Sequence, residues 1–369
     1  MQPLAGIKVV DFSTLLPGPL ASLILAEAGA EVIKIERPGR GDELRAYEPR
    51  FGGSSAAFAL LNRGKRSIAL NLKAADASQR LMPLLGATDV LIEQFRPGVM
   101  ERLGLSFDTL TAINPGLIYC SITGYGQSGP KAQLAGHDLN YIAETGLLHL
   151  AAGADAAPVV PPALIADIAC GSYPAALNIL LALRQRDSTG RGCHLDIAMT
   201  DHVFSLMSWA LGQGFAAGRW PRPGGELLTG GSPRFQIYPT ADGRFLAAAP
   251  LEQRFWDRFA ELIRLETRYR DDRRDPAATT ARVRTIIGGH GADHWRARLA
   301  GEDVCCSIVA SLEEAVRDPH FVGRGLFAGA LEGEEGQSIP ALPVPLAPLF
   351  RTPGSARAPA LGEADELLN

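Results

Sequence analysis

The sequence predicts an α/β protein: a largely parallel sheet early in the chain and a smaller α+β block later. Three observations carry this. Short apolar runs alternate with helical patterns through residues 7–122, the rhythm of strand–helix–strand units. From about residue 141 the pattern turns apolar and helical, to 184 and again over 196–214. A Pro/Gly-rich crossing at 219–233 then precedes a hairpin pattern and reads as a linker.

In order, residues 7–12 read as a buried strand and 17–28 as a helix, with Leu20, Leu23, Ile24 and Ala28 at helical spacing and Pro17 in its first turn. Residues 31–35 form the next strand, and an Arg/Gly-rich connection fills 36–66. Strands at 67–72, 89–92 and 117–122 alternate with helices at 74–85, 98–103 and 107–113. Beyond the linker, 235–238 and 245–249 flank the turn Ala241-Asp242-Gly243 as a hairpin, and helices follow at 253–263 and 294–299. Residues 225–325 thus read as a small α+β domain, 216–224 as the connection, and 1–215 completed by 330–369 as the large domain. The Pro-rich tail at 339–359 is expected to be extended and to pack back on the large domain.

Composition excludes several classes of function. Hydrophobic residues make up 46% and charged residues 21% of 369, which is ordinary for a globular protein. A formal net charge of −4 without a basic patch argues against nucleic acid. Five cysteines in no framework spacing read as reduced thiols of a cytoplasmic protein. No signal peptide is expected at the start, and no run of eighteen apolar residues suggests a membrane span.

The candidate site begins at Gly136-His137-Asp138-Leu139-Asn140-Tyr141 and continues at Asp167, set in Leu164-Ile165-Ala166-Asp167-Ile168-Ala169. One His and one Asp in apolar, glycine-flanked settings suit proton transfer; a carboxylate with the flanks of Asp167 is either paired or has a raised pKa, and the latter suits acid–base work. Each also has a structural reading: a satisfied His, with Asp138 as a helix N-cap or a charge partner, and a helix N-cap for Asp167. Gly124-Tyr125-Gly126-Gln127-Ser128-Gly129 fits G-x-G-x-x-G, but Pro130 and a stretch without helical pattern follow. The helix N-terminus that a dinucleotide fingerprint needs is missing, so the segment reads as a glycine loop that a ligand can approach. Arg37, Arg40 and Arg96 follow strand ends; they are either solvated or phosphate-binding. Glu252 either caps the next helix or reaches a site. His290 and His294 lack the Glu of a zinc helix, so no metal is expected. Cys305-Cys306 reads as part of a buried strand.

Ordered motifs run nearly the length of the chain: the opening Leu4-Ala5-Gly6-Ile7-Lys8-Val9-Val10-Asp11, then Leu16-Pro17-Gly18-Pro19, Glu36-Arg37-Pro38, Phe95-Arg96-Pro97-Gly98, Ile122-Thr123-Gly124-Tyr125-Gly126, Gly136-His137-Asp138, Gly190-Arg191-Gly192, Gly230-Gly231-Ser232-Pro233, Leu251-Glu252 and Leu361-Gly362-Glu363. In these the chain resembles the α-methylacyl-CoA racemases of the family III CoA-transferase superfamily. The resemblance implies a Rossmann-like large domain, an inserted small domain, and a homodimer of interlocked rings. It implies an acyl-CoA substrate held by the arginine and glycine loops (Arg37, Arg40, Arg96, Gly124, Gly126, Tyr141), with no cofactor beyond CoA itself. His137 and Asp167 would exchange the α-proton, with Glu252 orienting His137 and backbone N–H groups near Asp167 stabilising the enolate oxygen. Transferases of the superfamily use the matching Asp as a nucleophile and usually lack the His, so CoA transfer between carboxylic acids is the alternative. The chain departs from the racemase pattern at Ile168-Ala169-Cys170, where glycines are expected.

Overall fold

The computed structural model describes residues 2–151, 157–334, 336–351 and 354–368. The chain divides into two compact units, Met1–Thr145 with Pro161–Leu206 and Pro319–Asn369, and Gly146–Val160 with Met207–Asp318. The helix Ser208–Ala217 and the Pro/Gly-rich crossing therefore belong to the second unit, whereas the sequence reading drew the large domain to 215.

The first unit is built on six strands: β1 Lys8–Asp11, β2 Glu31–Glu36, β3 Arg66–Ala69, β4 Val90–Glu93, β5 Ile118–Thr123 and β6 His194–Ala198. They lie in the order β3-β2-β1-β4-β5-β6, and every neighbouring pair is parallel. β5 is buried at every position and β2 at every position but its first, as expected of strands covered on both faces. Strand order reverses between β1 and β4, and ligands of such sheets bind at that switch point, outside the carboxyl ends. The helix α1, Pro17–Glu27, follows β1; Pro17 occupies its first turn, and its residues from Pro17 to Leu25 are buried.

Parts of this unit differ from expectation. β6 goes unread as a strand, its last three residues falling at the start of the segment read as helical, because His194-Leu195-Asp196 carries polar side chains on an exposed sheet edge and shows no apolar run. The connection between β2 and β3 holds a helix, Ala56–Asn62, whose N-cap Ser55 accepts the Phe58 N–H. The C-terminal segment is more than extended. It forms a three-stranded sheet of Ala330–Glu332, Ser338–Pro340 and Ser355–Arg357. Arg63 donates to Leu342 O at 2.8 Å and Arg45 to Pro359 O at 3.1 Å, tying that segment into the first unit. The expected extended tail includes residues 352–353, and the expected helical stretch from 141 includes 152–156; these lie outside the described residues.

The continuous helical run Ile165–Thr189 is long and apolar enough, by length and composition alone, to cross a membrane. Ala175, Ala176, Ile179, Ala182 and Leu183 are buried within the protein, while Tyr173, Leu177, Leu180 and Leu181 are exposed.

The second unit carries the expected hairpin, Gln236–Pro239 with Phe245–Ala248, and a third antiparallel strand, Cys306–Ile308, at the edge. Helices Gln253–Leu262, Pro276–Ile287 and Ala292–Leu299 enclose a core of Tyr238, Trp256, Phe259, Val283 and Trp295. Both buried indoles find acceptors: Trp256 Nε1 donates to Arg270 O and Trp295 Nε1 to Ile287 O. The helix Pro276–Ile287 was not foreseen. Cys305 is exposed with φ +52°, so the Cys pair is not a buried strand. His290 and His294 stack ring on ring at 3.9 Å, and no group of three metal-ligating side chains exists among the described residues.

Candidate active site

A cavity of about 420 Å3 opens at the switch point of the first unit's sheet. The loops after β1, β4 and β5 supply Leu15, Pro17, Gln94, Arg96, Pro97, Gly124 and Tyr125 to its wall. His137, Asn140, Tyr141, Asp167 and Met199 complete it. The two residues singled out from sequence for proton transfer thus face one cavity.

Each wall has a local cause. Glu93 at the end of β4 is buried, and its Oε2 accepts the Phe95 N–H at 2.8 Å, turning the chain so that Arg96 and Pro97 reach the cavity. Burial pushes the Glu93 carboxyl up to about 7. After β5, Thr123 Oγ1 accepts the Gly126 N–H at 2.9 Å, closing a turn in which Gly126 has φ +85°, a conformation that glycine takes without strain. The glycine loop runs to residue 137 without a helix, so it lacks the dinucleotide-binding outline.

Gly124 and Gly136 have a steric purpose. A Cβ on Gly124 would lie 2.4 Å from the Tyr141 ring, and one on Gly136 2.6 Å. The buried Tyr141 ring fills both spaces, and its hydroxyl donates to Gly136 O at 2.5 Å. Burial, then the charge of Asp167, pushes this phenol up to about 12. Tyr141 therefore stays a neutral member of the wall.

His137 is the N-cap of the short helix Asp138–Glu144, with its N–H donating to Asn140 Oδ1 at 3.0 Å. His137 is exposed and is among the residues that line the cavity. Its neighbour Asp138 points the other way: it is 5% exposed, and its Oδ1 accepts the Asp167 N–H at 3.0 Å. Asp138 is neither the N-cap nor the ion-pair partner that the sequence suggested. It joins the His137 and Asp167 segments across 29 positions, a link no local pattern reveals.

Asp167 closes one helical turn, Ile165–Asp167, and the next, Ile168–Ser172, is wound wider, to the i→i+5 spacing of a π-turn. Such turns recur at functional sites. Ser172 Oγ lies 3.1 Å from Asp167 O and 2.8 Å from Pro17 O, so it links this turn to the start of α1. Burial raises the Asp167 carboxyl to about 6, the nearby Asp138 charge adds to this, and His137 opposes it. The Asp167 N–H goes to Asp138 and the Ile168 N–H to Leu164 O, so these two are not the oxyanion donors expected. Of the residues after Asp167, Gly171 meets a close neighbour: a Cβ there would lie 3.1 Å from the Met199 side chain.

The other predicted residues are dispersed. Arg96 and Gly124 line the cavity, and Gly126 shapes the adjoining turn. Arg37 and Arg40 lie on the exposed loop after β2 and do not line it; Arg37 is 3.5 Å from the exposed Glu43. Glu252 belongs to the second unit, where it is the exposed N-cap of Gln253–Leu262 without a side-chain capping bond.

A family model described as CoA-transferase family III matches residues 4–365. Human alpha-methylacyl-CoA racemase is 34% identical over 98% of this chain and 91% of its own length. Succinate–glutarate CoA-transferase of Agrobacterium fabrum is 33% identical over 98% and 93%. The crystal structure of a CAIB/BAIF family protein from Brucella suis superposes with a TM-score of 0.84 at 30% identity, covering 99% of this chain and 98% of that one.

Proposed function

Because this chain belongs to CoA-transferase family III, whose members among its relatives are racemases and CoA-transferases, we propose that it racemises 2-methylacyl-CoA thioesters by 1,1-proton transfer. The observation that carries this reading is the shared cavity of His137 and Asp167, with the Asp167 carboxyl held near 6. A carboxyl with that pKa exchanges protons readily around neutrality, the range in which acid–base catalysis is most effective. One of the pair takes the α-proton and leaves an enolate. The other delivers a proton to the opposite face of Cα. The thioester itself acidifies that carbon, so the step needs no redox partner.

Arg96 and Asn140, which both line the cavity, carry side-chain N–H donors for the thioester oxygen. Arg37 and Arg40 suit the CoA phosphates: surface ion pairs such as Arg37–Glu43 are weak, so the guanidinium is readily redirected. Gly126, by closing the turn after β5, shapes the loop along which the pantetheine arm would run. We further propose a cytoplasmic, interlocked homodimer in which Glu252 acts across the subunit interface on His137. The exposed apolar stripe Tyr173, Leu177, Leu180 and Leu181, with Phe204 and Leu206, supports a self-association surface.

The test is incubation with a single enantiomer of a 2-methylacyl-CoA in deuterated water. Deuterium at Cα together with loss of optical purity is expected; absence of both overturns the reading. A second reading, CoA transfer between carboxylic acids, draws on the comparable identity to the transferase. It requires an Asp167–CoA thioester, which hydroxylamine traps only when an acyl donor is present.

A further inference from the structure

Leu15 is one of three non-glycine residues with positive φ among the described residues, at +62°. An L-residue adopts this conformation at a cost, and such strain persists only where the surroundings enforce it. Here they do. The Leu15 N–H lies 3.2 Å from each carboxylate oxygen of Asp42. Asp42 is 1% exposed, also accepts the Leu44 N–H, and lies 3.0 Å from the Lys34 ammonium, whose side chain is wholly buried. Lys34 in turn donates to Ser13 O at 2.6 Å. On the other side Gln94 donates to Thr14 O at 3.1 Å and accepts the Gly18 N–H at 3.0 Å. The loop from Ser13 to Gly18 is thus clamped from both flanks, and Leu15 lines the cavity that contains His137 and Asp167.

We propose that Asp42, through its buried pairing with Lys34, is a positioning residue that sets the acyl-chain preference of the enzyme by holding Leu15 as a wall of the reactive cavity. Neither Lys34 nor Asp42 lines the cavity, so both act through Leu15. A wall that is both apolar and fixed discriminates between acyl groups by shape, whereas the same leucine on a relaxed loop yields to either. Asp42 also ends the turn that carries Arg37 and Arg40, its own N–H donating to Glu36 Oε2 at 2.9 Å. The inference rests on the reading that this cavity takes a CoA thioester.

The experiment compares wild type with Leu15→Gly, Asp42→Asn, the paired replacement Lys34→Met/Asp42→Ala, and the paired replacement combined with Leu15→Gly. Calorimetric affinity for free CoA, a straight-chain acyl-CoA and a 2-methylacyl-CoA is measured, with kcat and KM for α-proton exchange. Leu15→Gly and the paired replacement are each expected to cut the preference between the two thioesters on the order of tenfold, the scale of one misfitted methylene, with free-CoA affinity unchanged. Combining them is expected to do no more than Leu15→Gly alone, since both remove one wall. Asp42→Asn keeps an oxygen for the Leu15 N–H but leaves the buried Lys34 without its charge partner, so it is expected to fall between wild type and the paired replacement; Leu15→Gly, which leaves the pair intact, covers the case of a paired variant that fails to fold. Preference unchanged in Leu15→Gly, effects that multiply, equal losses for free CoA and thioesters, or Asp42→Asn as damaging as Leu15→Gly would each overturn the proposal. A wild type that binds neither CoA nor thioester ends the functional reading and this proposal with it. A wild type that binds and exchanges while its variants keep their preference ends the proposal alone.

Discussion

Two groups of ionisable side chains flank the switch point of the main sheet, and the fold treats them in opposite ways. At the ends of β1 and β2, Asp11, Glu36, Lys34, Lys65 and Asp42 are buried and paired. Burial pushes Asp11 up, but the charges of Lys34 and Lys65 and bonds from Ser13 and Ser22 more than reverse this, leaving it below its ordinary value. Glu36 follows the same logic: burial is outweighed by Arg45, which forms two 2.7 Å bonds to it. Beyond β5, Asp167 is also removed from water, yet its nearest charged neighbours include a second carboxylate, and its carboxyl rises to about 6. Burial with a cationic partner makes a rigid scaffold; burial beside an anion makes a group that can gain and lose a proton. The contrast lies in the company each carboxylate keeps.

The sharpest way to break the contrast is to remove the proton carriers. Asp167→Ala and His137→Ala are each expected to lower exchange by about 10²–10⁴-fold, the usual contribution of a positioned acid or base, measured as α-deuterium incorporation. The scaffold side responds in stability instead. Lys34→Met leaves Asp42 buried and unpaired, an expected loss of about 3–5 kcal/mol, read from the urea midpoint.

Asp167→Asn reverses that sign. The Asp167 carboxyl sits near 6 in the fold against an ordinary 3.8, so the folded state holds the proton more tightly than the unfolded chain. The native state is therefore increasingly penalised as pH rises from about 4, and the penalty is complete above about 6. Asp167→Asn is expected to gain about 1–2 kcal/mol at pH 7.5, after discounting for partial exposure, and nothing at pH 3.5, by thermal unfolding at the two values. The smallest effect sharpens the account of why Asp167 is raised. Activity is expected to fall as pH drops through about 6, and Asp138→Asn, which removes the neighbouring charge but keeps an acceptor for the Asp167 N–H, is expected to move that limb of the kcat/KM profile to lower pH.

The alternation of apolar runs disclosed β1 to β5, and the helix pattern disclosed α1, because both signals lie within a few residues. β6 was hidden because its first residues, His194-Leu195-Asp196, mix polar and apolar side chains at a sheet edge. Ala56–Asn62 was hidden because it is two turns long inside an Arg/Gly-rich connection. In the site, His137 and Asp167 stood out by their apolar and glycine-rich settings. The role of Asp138 did not, since its bond to the Asp167 N–H is made by tertiary packing and adjacency to His137 suggested a different use. Lys34 and Asp42 were silent for the same reason. A lysine within a strand reads as a solvent-facing residue until the carboxylate that neutralises it is seen.

The wide turn after Asp167 has a consequence for how this chain can change. A π-turn is an α-helix carrying one surplus residue. Deleting any one residue of Ile168–Ser172 would let the helix that follows close into regular α-winding, at no evident expense to its apolar face. Because the wider winding absorbs the extra residue, the same deletion would leave Asp167 facing nearly the same way relative to Tyr173–Thr189. What rewinding would change is the turn itself, which now brings Ser172 Oγ 3.1 Å from Asp167 O. The turn is thus where this chain can lose a residue without re-aiming its reactive group, whereas a one-residue change within the regular winding of Tyr173–Thr189 would rotate what lies beyond it by about 100°.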